Sequence, residues 1–321
     1  MTMRERLAND PVYIRLSHAS YRVQALFSPR ACSLRRFYKV FGFPLREDAP
    51  VWWSEKLMLL KLRYYNRSPL VRRCANKLLV RDYAAENGLR DLLIDLYGAW
   101  PNERRVPWDT LPDNCVLKCT MGCGLQMHVF CRSRAALDVP AAKRVLRRAL
   151  HDRYYLDYAE MQYAPGPDMR PEILCERLLD TGESESEGKG ESGAVAEDYK
   201  VFCFHGEPRY VLYCFARNAE GHAQYAFLDT DWRMHPELHP CLTDGVPERP
   251  ACLPAMLDAA RTLSAPFPFV RVDFYVEHGR PLLGEMTFTP SACVDAELTV
   301  RGQETLGALL DLNNVDAARL L

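Results

Sequence analysis

The fold is decided by Pro268-Phe269-Val270-Arg271-Val272-Asp273-Phe274-Tyr275, which the turn Glu277-His278-Gly279-Arg280 connects to Pro281-Leu282-Leu283-Gly284-Glu285-Met286-Thr287-Phe288. Two apolar runs on either side of a glycine-containing turn predict an antiparallel hairpin. Side chains two residues apart share one face of a strand, so Arg271, Asp273 and Tyr275 project together, as do Glu285 and Thr287. Pairing across the turn places Asp273 roughly opposite Glu285.

Two carboxylates and an arginine on one face of otherwise apolar strands are costly to bury without compensation. A divalent cation supplies that compensation, because Mg²⁺ prefers one or two carboxylates together with phosphate oxygens and water. The alternative is a buried pair of Arg271 and Asp273 with Glu285 at the solvent edge. The hairpin alone leaves both interpretations open.

The rest of the chain predicts antiparallel strands with segregated helices, which is the α+β class. A second hairpin is predicted from Tyr199–Phe204 and Arg209–Cys214, and further strands are predicted at 92–97, 115–119 and 172–179. Helical spacing predicts helices over 74–89, which carries Lys77, and over 139–155, and one or two helices from 296 onward. The first seventy residues are predicted to be largely helical.

The length of 321 residues exceeds the limit of about 250–300 residues at which single cores stop growing. We therefore expect a helical N-terminal region (1–73), a first lobe (74–179) and a second lobe (180–321). The segment 182–197 is acidic and rich in glycine and serine. It is predicted to be a mobile surface loop, because it has too little apolar surface to offset the entropy of ordering.

A lysine precedes a pair of glycines at the end of a predicted strand. Lys118 is followed by Gly122 and Gly124, and an ammonium group with backbone N–H groups suits phosphate binding. The spacing of a Walker motif is absent. The alternative is a surface lysine beside a glycine turn.

The order of these parts resembles the ATP-grasp superfamily, and most closely its TupA-like branch, named for a teichuronic-acid biosynthesis protein. The resemblance covers roughly residues 54 to 290. The stretches that carry it are Asn76-Lys77-Leu78-Leu79-Val80-Arg81-Asp82-Tyr83, Leu111-Pro112-Asp113-Asn114-Cys115-Val116-Leu117-Lys118-Cys119, Asp198-Tyr199-Lys200-Val201-Phe202-Cys203-Phe204-His205-Gly206, Asp229-Thr230-Asp231-Trp232, 268–275 and Gly284-Glu285-Met286-Thr287-Phe288-Thr289-Pro290.

The resemblance implies an ATP-grasp fold, in which two α+β lobes enclose ATP, and it implies a role for each matching residue. Lys77, Lys118 and Lys200 correspond to nucleotide-contacting lysines. Gly122 and Gly124 correspond to the loop over the phosphates. Glu176, Arg177, Leu178 and Leu179 correspond to the hinge between the lobes, whose backbone reads adenine. Asp273 and Glu285 correspond to the Mg²⁺ ligands, and Arg271 corresponds to the arginine that stabilises the developing oxyanion.

The sequence departs from the family pattern at three places. Met121 and Cys123 replace polar loop residues, so backbone N–H groups remain but side-chain contacts are lost. Thr287 stands where many relatives have an asparagine metal ligand, and a hydroxyl is a weaker ligand, so Thr287 is expected to act through water. Ser291-Ala292-Cys293 replaces the usual glycines on the acceptor side.

The implied activity is Mg²⁺-dependent ligation of a carboxylate to an amine through an acyl phosphate, with Lys118 and Arg271 assisting catalysis. The implied acceptor is a glycan precursor or polymer of the cell surface. Two alternatives stay open: a kinase that phosphorylates a hydroxyl, and a nucleotide-binding protein without turnover. The sequence does not indicate an oligomeric state.

Composition and charge limit the class of protein and the cell compartment that we expect. The 41 Lys and Arg residues nearly balance the 42 Asp and Glu residues, which argues against a nucleic-acid-binding protein. A membrane span requires about 18 consecutive apolar residues, and the sequence contains no such run. No apolar signal segment is recognised after the basic N-terminus. The twelve cysteines contain no CxxC pair, which favours reduced, buried thiols over a metal site. We expect a cytoplasmic protein.

Overall fold

The computed structural model describes residues 11–121, 125–179, 197–215 and 224–320. Within these ranges the helices α1 to α10 are Pro11–Phe27, Pro29–Phe41, Trp53–Leu60, Pro69–Ala75, Leu79–Glu86, Val139–Leu150, Tyr154–Tyr158, Leu253–Ser264, Val300–Leu309 and Ala317–Leu320. The strands β1 to β9 are Leu96–Trp100, Cys115–Cys119, Val129–Cys131, Ile173–Arg177, Asp198–Phe204, Glu207–Phe215, Gln224–Asp229, Phe269–Glu277 and Arg280–Thr287.

A five-stranded antiparallel sheet has the order β7-β6-β5-β8-β9. It contains both predicted hairpins, which are thereby confirmed. In the β8–β9 hairpin Asp273 pairs with Glu285, as the turn length predicts, and the register shifts directly after this pair. Gly284 is required there, because an added Cβ atom would lie 2.9 Å from the Tyr275 ring and 3.1 Å from the Asp273 carbonyl oxygen.

A four-stranded antiparallel sheet has the order β1-β4-β2-β3. Helix α6 packs against it with Ala142, Leu146 and Ala149, which share one helix face. The helix begins where the Asp138 side chain accepts a hydrogen bond from the Ala141 N–H at 2.9 Å.

The two sheets have separate cores. The larger core joins α3, α4 and α5 to the five-stranded sheet and to α8. Tyr65, which is fully buried, donates its hydroxyl to the Phe269 carbonyl oxygen at 2.7 Å and so connects the helical region to β8. The smaller core lies between α6 and the four-stranded sheet.

Three predicted elements are corrected in their bounds. The helix predicted over 74–89 is broken, because the Asn76 side chain accepts hydrogen bonds from the Leu78 and Leu79 N–H groups and starts α5 there. Lys77 therefore lies in a turn rather than on a helix. The helix predicted to reach residue 155 ends at Leu150, and the strand predicted over 92–97 begins only at Leu96.

Several expectations fall on the remaining residues. Gly122, Gly124 and residues 182–196 of the predicted mobile loop lie outside the described residues. Of the cysteines that the structure describes, each is free, and all but Cys241 are buried. Within the same ranges no helix combines the length and apolar character needed to cross a membrane.

Candidate active site

Asp273 is the centre of a buried charge cluster on the five-stranded sheet. Both of its oxygens accept hydrogen bonds from Arg271, at 2.7 Å each, and Lys200 donates to its Oδ2 at 3.1 Å. Lys200 pairs with Asp273 across β5 and β8, and it also lies 3.2 Å from Asp198. Burial lowers the pKa of Lys200, but the charges of Asp273 and Asp198 outweigh burial and raise that pKa. The cluster therefore holds its cations fully charged.

Glu285 faces a lysine that comes from the helical region. The Lys77 Nζ lies 3.0 Å from Glu285 Oε2, and the Lys77 charge holds the pKa of that carboxyl well below its ordinary range, against the opposing effect of burial. The Lys77 N–H donates to the Thr120 carbonyl oxygen at 2.9 Å, just after β2. Thr287 accepts from Arg271 at 3.2 Å and donates weakly to Glu285 at 3.5 Å.

A second buried charge cluster lies on the four-stranded sheet. Glu176 Oε1 accepts from Arg81 at 2.9 Å, and its Oε2 lies 2.6 Å from the Lys118 Nζ, although without the direction of a good hydrogen bond. The three side chains are 6%, 14% and 10% exposed, in the order Glu176, Arg81, Lys118. Sequence reasoning placed Glu176 in a hinge that acts through its backbone, and it missed Arg81, whose pairing depends on tertiary structure.

Two rings lie between these clusters. Burial raises the pKa of Tyr275 far above its ordinary value, and the carboxylates of both clusters (Asp198, Glu285, Asp273 and Glu176) add to this effect. Burial lowers the pKa of His128 to about 4, with a further contribution from Lys118 and Lys77. His128 is therefore a neutral ring close to both lysines at pH 7. No sequence motif singled it out.

The predicted hinge segment makes contacts that join the two sheets. Arg177, at the end of β4, donates to both carboxylate oxygens of Glu277 on β8 at 2.8 and 2.7 Å, and it also donates to Asp95. The Leu178 N–H donates to the Asn114 carbonyl oxygen at 2.7 Å. Leu179 is half-buried beside them.

The structure therefore brings together most of the predicted site residues. Arg271, Asp273, Lys200, Glu285, Thr287 and Lys77 form one connected cluster, and Lys118 and Glu176 form the neighbouring one. Cations and carboxylates alternate in both, which suits exchange of a carboxylate partner for a phosphate oxygen, since both accept charge-assisted hydrogen bonds. Two carboxylates that pair directly across a hairpin also offer the hard oxygen donors that Mg²⁺ takes.

A family model for TupA-like ATP-grasp proteins matches residues 55–311. The chain belongs to the TupA-like ATP-grasp family. Both the predicted family and the predicted α+β ATP-grasp fold are confirmed by this match. No curated protein matches the sequence of this TupA-like chain.

Solved structures with a similar fold include several enzymes. A D-alanine–D-alanine ligase from Bacillus anthracis complexed with ATP is 12% identical, with 76% of this chain and 67% of that chain covered and a TM-score of 0.42. The N5-carboxyaminoimidazole synthase of Aspergillus clavatus with ADP is also 12% identical, with coverages of 73% and 54% and a TM-score of 0.39. The ATP-grasp ligase PsnB with its minimal precursor is 13% identical, with coverages of 80% and 68% and a TM-score of 0.39.

Proposed function

We propose that this protein is an ATP-dependent ligase that joins a carboxylate to an amine through an acyl phosphate. The observation that carries the proposal is the convergence of charged groups from both sheets. Lys77 and Lys118 face the carboxylates Glu285 and Glu176, while Arg271 and Lys200 enclose Asp273. A triphosphate bound there would have four cations available to its phosphate oxygens.

In this proposal Lys77 and Lys118 bind phosphate oxygens. Each ammonium group already lies within 3.0 Å of a carboxylate oxygen, and a phosphate oxygen supplies an equivalent charge-assisted hydrogen bond. Lys200 keeps its charge through Asp273 and Asp198. The loop with Gly122 and Gly124 is proposed to contribute backbone N–H groups to the same phosphates.

Asp273, Glu285 and Thr287 are the residues proposed to hold Mg²⁺. Their donor atoms are all oxygens on one hairpin, and Glu285 stays ionised because its pKa is depressed. When bound, the ion neutralises charge on the phosphates, as in other phosphoryl transfers. Arg271 and Lys200 donate hydrogen bonds to the same Asp273 oxygens that are proposed to bind the ion. These hydrogen bonds also hold the carboxylate in place.

Arg271 is proposed to stabilise the developing oxyanion. Its bidentate contact with Asp273 uses Nε and Nη2 and fixes the guanidinium plane, which leaves Nη1 to donate to the oxyanion. Adenine is proposed to bind beside the hinge residues Arg177 to Leu179. Because the Leu178 N–H is already bonded to Asn114, Leu179 is the residue whose backbone is offered to the base.

The proposed reaction has two steps. A substrate carboxylate oxygen attacks the γ-phosphorus of ATP, and the bond to ADP breaks to give an acyl phosphate. The amine then attacks the acyl carbon, loses a proton to solvent, and expels phosphate as the amide forms. We propose a carboxylate on a cell-surface glycan or its precursor as the acceptor, with the reaction in the cytoplasm.

The test follows ADP and phosphate release with pairs of glycan carboxylates and amines. The proposal expects sustained release of both products over many turnovers to require the amine and expects Asp273→Asn to abolish turnover. The exposed Asp258→Asn, with a side chain that is 76% exposed, serves as the matched control. Full turnover in Asp273→Asn contradicts the mechanism. ADP release with a persistent phosphorylated hydroxyl product indicates a kinase, and ATP binding without ADP release indicates a protein without turnover.

A further inference from the structure

A histidine and two carboxylates outside the cluster around Asp273 lie close together. His239 follows β7, while Asp295 and Glu297 lie between the turn at Pro290–Cys293 and α9. Hydrogen bonds hold the segment before α9 against the segment after β7. The Thr299 N–H and the Thr299 hydroxyl both donate to the Leu238 carbonyl oxygen, at 3.0 and 3.1 Å. The strands β7 and β9 form opposite edges of the five-stranded sheet.

The ring of His239 is held with one nitrogen directed at the carboxylates. Its Nδ1 lies 2.9 Å from the Pro240 carbonyl oxygen, and a carbonyl oxygen only accepts, so Nδ1 carries the hydrogen. The side chain is 6% exposed and stacks on Phe227 with 5.6 Å between ring centroids. The remaining nitrogen, Nε2, lies 3.6 Å from Glu297 Oε2.

This arrangement directs Nε2 of His239 and the Glu297 carboxylate at the same point. A carbonyl group bonded to the other ring nitrogen is the usual partner of a metal-bound histidine. The burial of the ring prevents it from turning away.

The spacing of the His239 and Glu297 donor atoms fits one metal ion, and an Asp295 oxygen lies beside them. One atom from each of His239, Asp295 and Glu297 lies within 4.8 Å of the others. Two atoms bonded to one tetrahedral ion at about 2.1 Å are about 3.4 Å apart, close to the 3.6 Å between His239 and Glu297. The Glu297 side chain is 74% exposed and is free to complete the approach.

Asp295 is already oriented for this role. Its Oδ2 accepts from the Ser291 hydroxyl at 3.2 Å, and its Oδ1 accepts from the Glu297 N–H at 3.0 Å. Its carbonyl oxygen accepts from the Gln303 side chain at 2.9 Å. These bonds hold the carboxylate in place and leave each oxygen a second lone pair for a metal ion.

We propose that His239, Asp295 and Glu297 form a second metal site that takes a transition-metal ion of the zinc class. Imidazole and carboxylate ligands suit Zn²⁺, with water in the open position, whereas Mg²⁺ selects oxygen ligands. The ion fastens the segment downstream of β9 to the segment downstream of β7. The site does not depend on the proposed ligase activity.

The test titrates Zn²⁺ into the full chain by calorimetry, after treatment with a chelator and in the presence of excess Mg²⁺ and a thiol reductant. The expected result is one saturable site in the wild type that Glu297→Gln weakens by at least about tenfold, the lower end found for outer partners of metal ligands. Because Glu297 is exposed, this variant tests the site without disturbing the core, whereas His239→Ala alters a buried ring.

Three control variants separate this site from other zinc ligands. His235→Ala should bind Zn²⁺ normally. The two carboxylates beside His235 contact opposite nitrogens of its ring, so the three groups do not converge on one point. Asp273→Asn and Cys241→Ser should also bind normally, because neither residue belongs to the site. The absence of saturable binding, an unchanged Kd in Glu297→Gln, or loss of binding in any of the three controls overturns the proposal.

Discussion

Replacing Glu176 with glutamine tests the buried charge cluster of the four-stranded sheet. The change leaves the side-chain shape but removes the negative charge between Arg81 and Lys118, which are 14% and 10% exposed. Removing one partner of a buried ion pair costs about 3–5 kcal/mol. Glutamine still accepts from Arg81, so we expect the lower end, about 3 kcal/mol. At about 2 °C per kcal/mol for a chain of this size, Tm should fall by about 6 °C.

ATP should reverse part of this loss. In the proposed function Lys118 of the wild type exchanges Glu176 for a phosphate oxygen, whereas in Glu176→Gln it would be available to phosphate from the start. The rise in Tm on adding ATP should therefore be at least as large in the variant as in the wild type. Thermal unfolding monitored by circular dichroism, with and without ATP and Mg²⁺, measures both quantities.

Glu103→Gln is the matched control. It breaks another contact of a buried carboxylate, since Glu103 is 6% exposed and pairs with Arg147, but it leaves Lys118 untouched. The control should lower Tm without changing the response to ATP. An unchanged Tm in Glu176→Gln refutes the stabilising role of the cluster. Loss of the ATP response in Glu176→Gln alone refutes the exchange at Lys118.

Three further changes probe the hairpin and its supports. Because the folded pKa of Glu285 is depressed, its stabilising contribution is full above the unfolded value of about 4.3 and declines as pH falls below it. Urea unfolding should therefore show Glu285→Gln less stable than the wild type at pH 7, and this difference should narrow steadily as pH falls from about 4 to about 3; a difference that stays constant over that range contradicts the assignment. Tyr65→Phe removes the buried hydrogen bond to Phe269, and the free energy of unfolding in urea should fall by about 1–3 kcal/mol; no change means that the bond contributes nothing. Gly284→Ala introduces the 2.9 Å contact with the Tyr275 ring, so the Tm of the variant should fall, typically by the equivalent of about 1–3 kcal/mol. A Tm equal to that of the wild type indicates that the ring shifts freely.

The sequence was sufficient for the hairpin that carries the site. The turn length sets the register, and the alternation of faces then places Asp273 opposite Glu285. The bulge after this pair could not be predicted from the sequence, because it depends on how Gly284 fits under the Tyr275 ring. The position of Lys77 was harder to predict. Lys77 lies in a turn, because hydrogen bonds to the Asn76 side chain compete there with helix formation.

Contacts between distant segments could not be predicted from local patterns. The pairing of Glu176 with Arg81 links residues 95 positions apart, and it exists only because the fold brings Arg81 of α5 to Glu176 of β4. His128 carries no motif, and its low pKa arises from burial and, to a smaller extent, from the lysines that the fold places near it. Such groups acquire their chemistry from tertiary structure, which single-sequence spacing does not encode.

The bridge between Arg177 and Glu277 determines where the cleft between the sheets can widen. At that end the sheets are tied by a bidentate ion pair, and by the pairing of Leu93 with Leu283 nearby. About 13 Å away along β8, Lys77 contacts Glu285 through one pair of atoms, Nζ and Oε2. A bidentate arginine pair fixes the relative orientation of its two groups as well as their distance, so the Arg177 end is the stiffer end of the contact between the sheets.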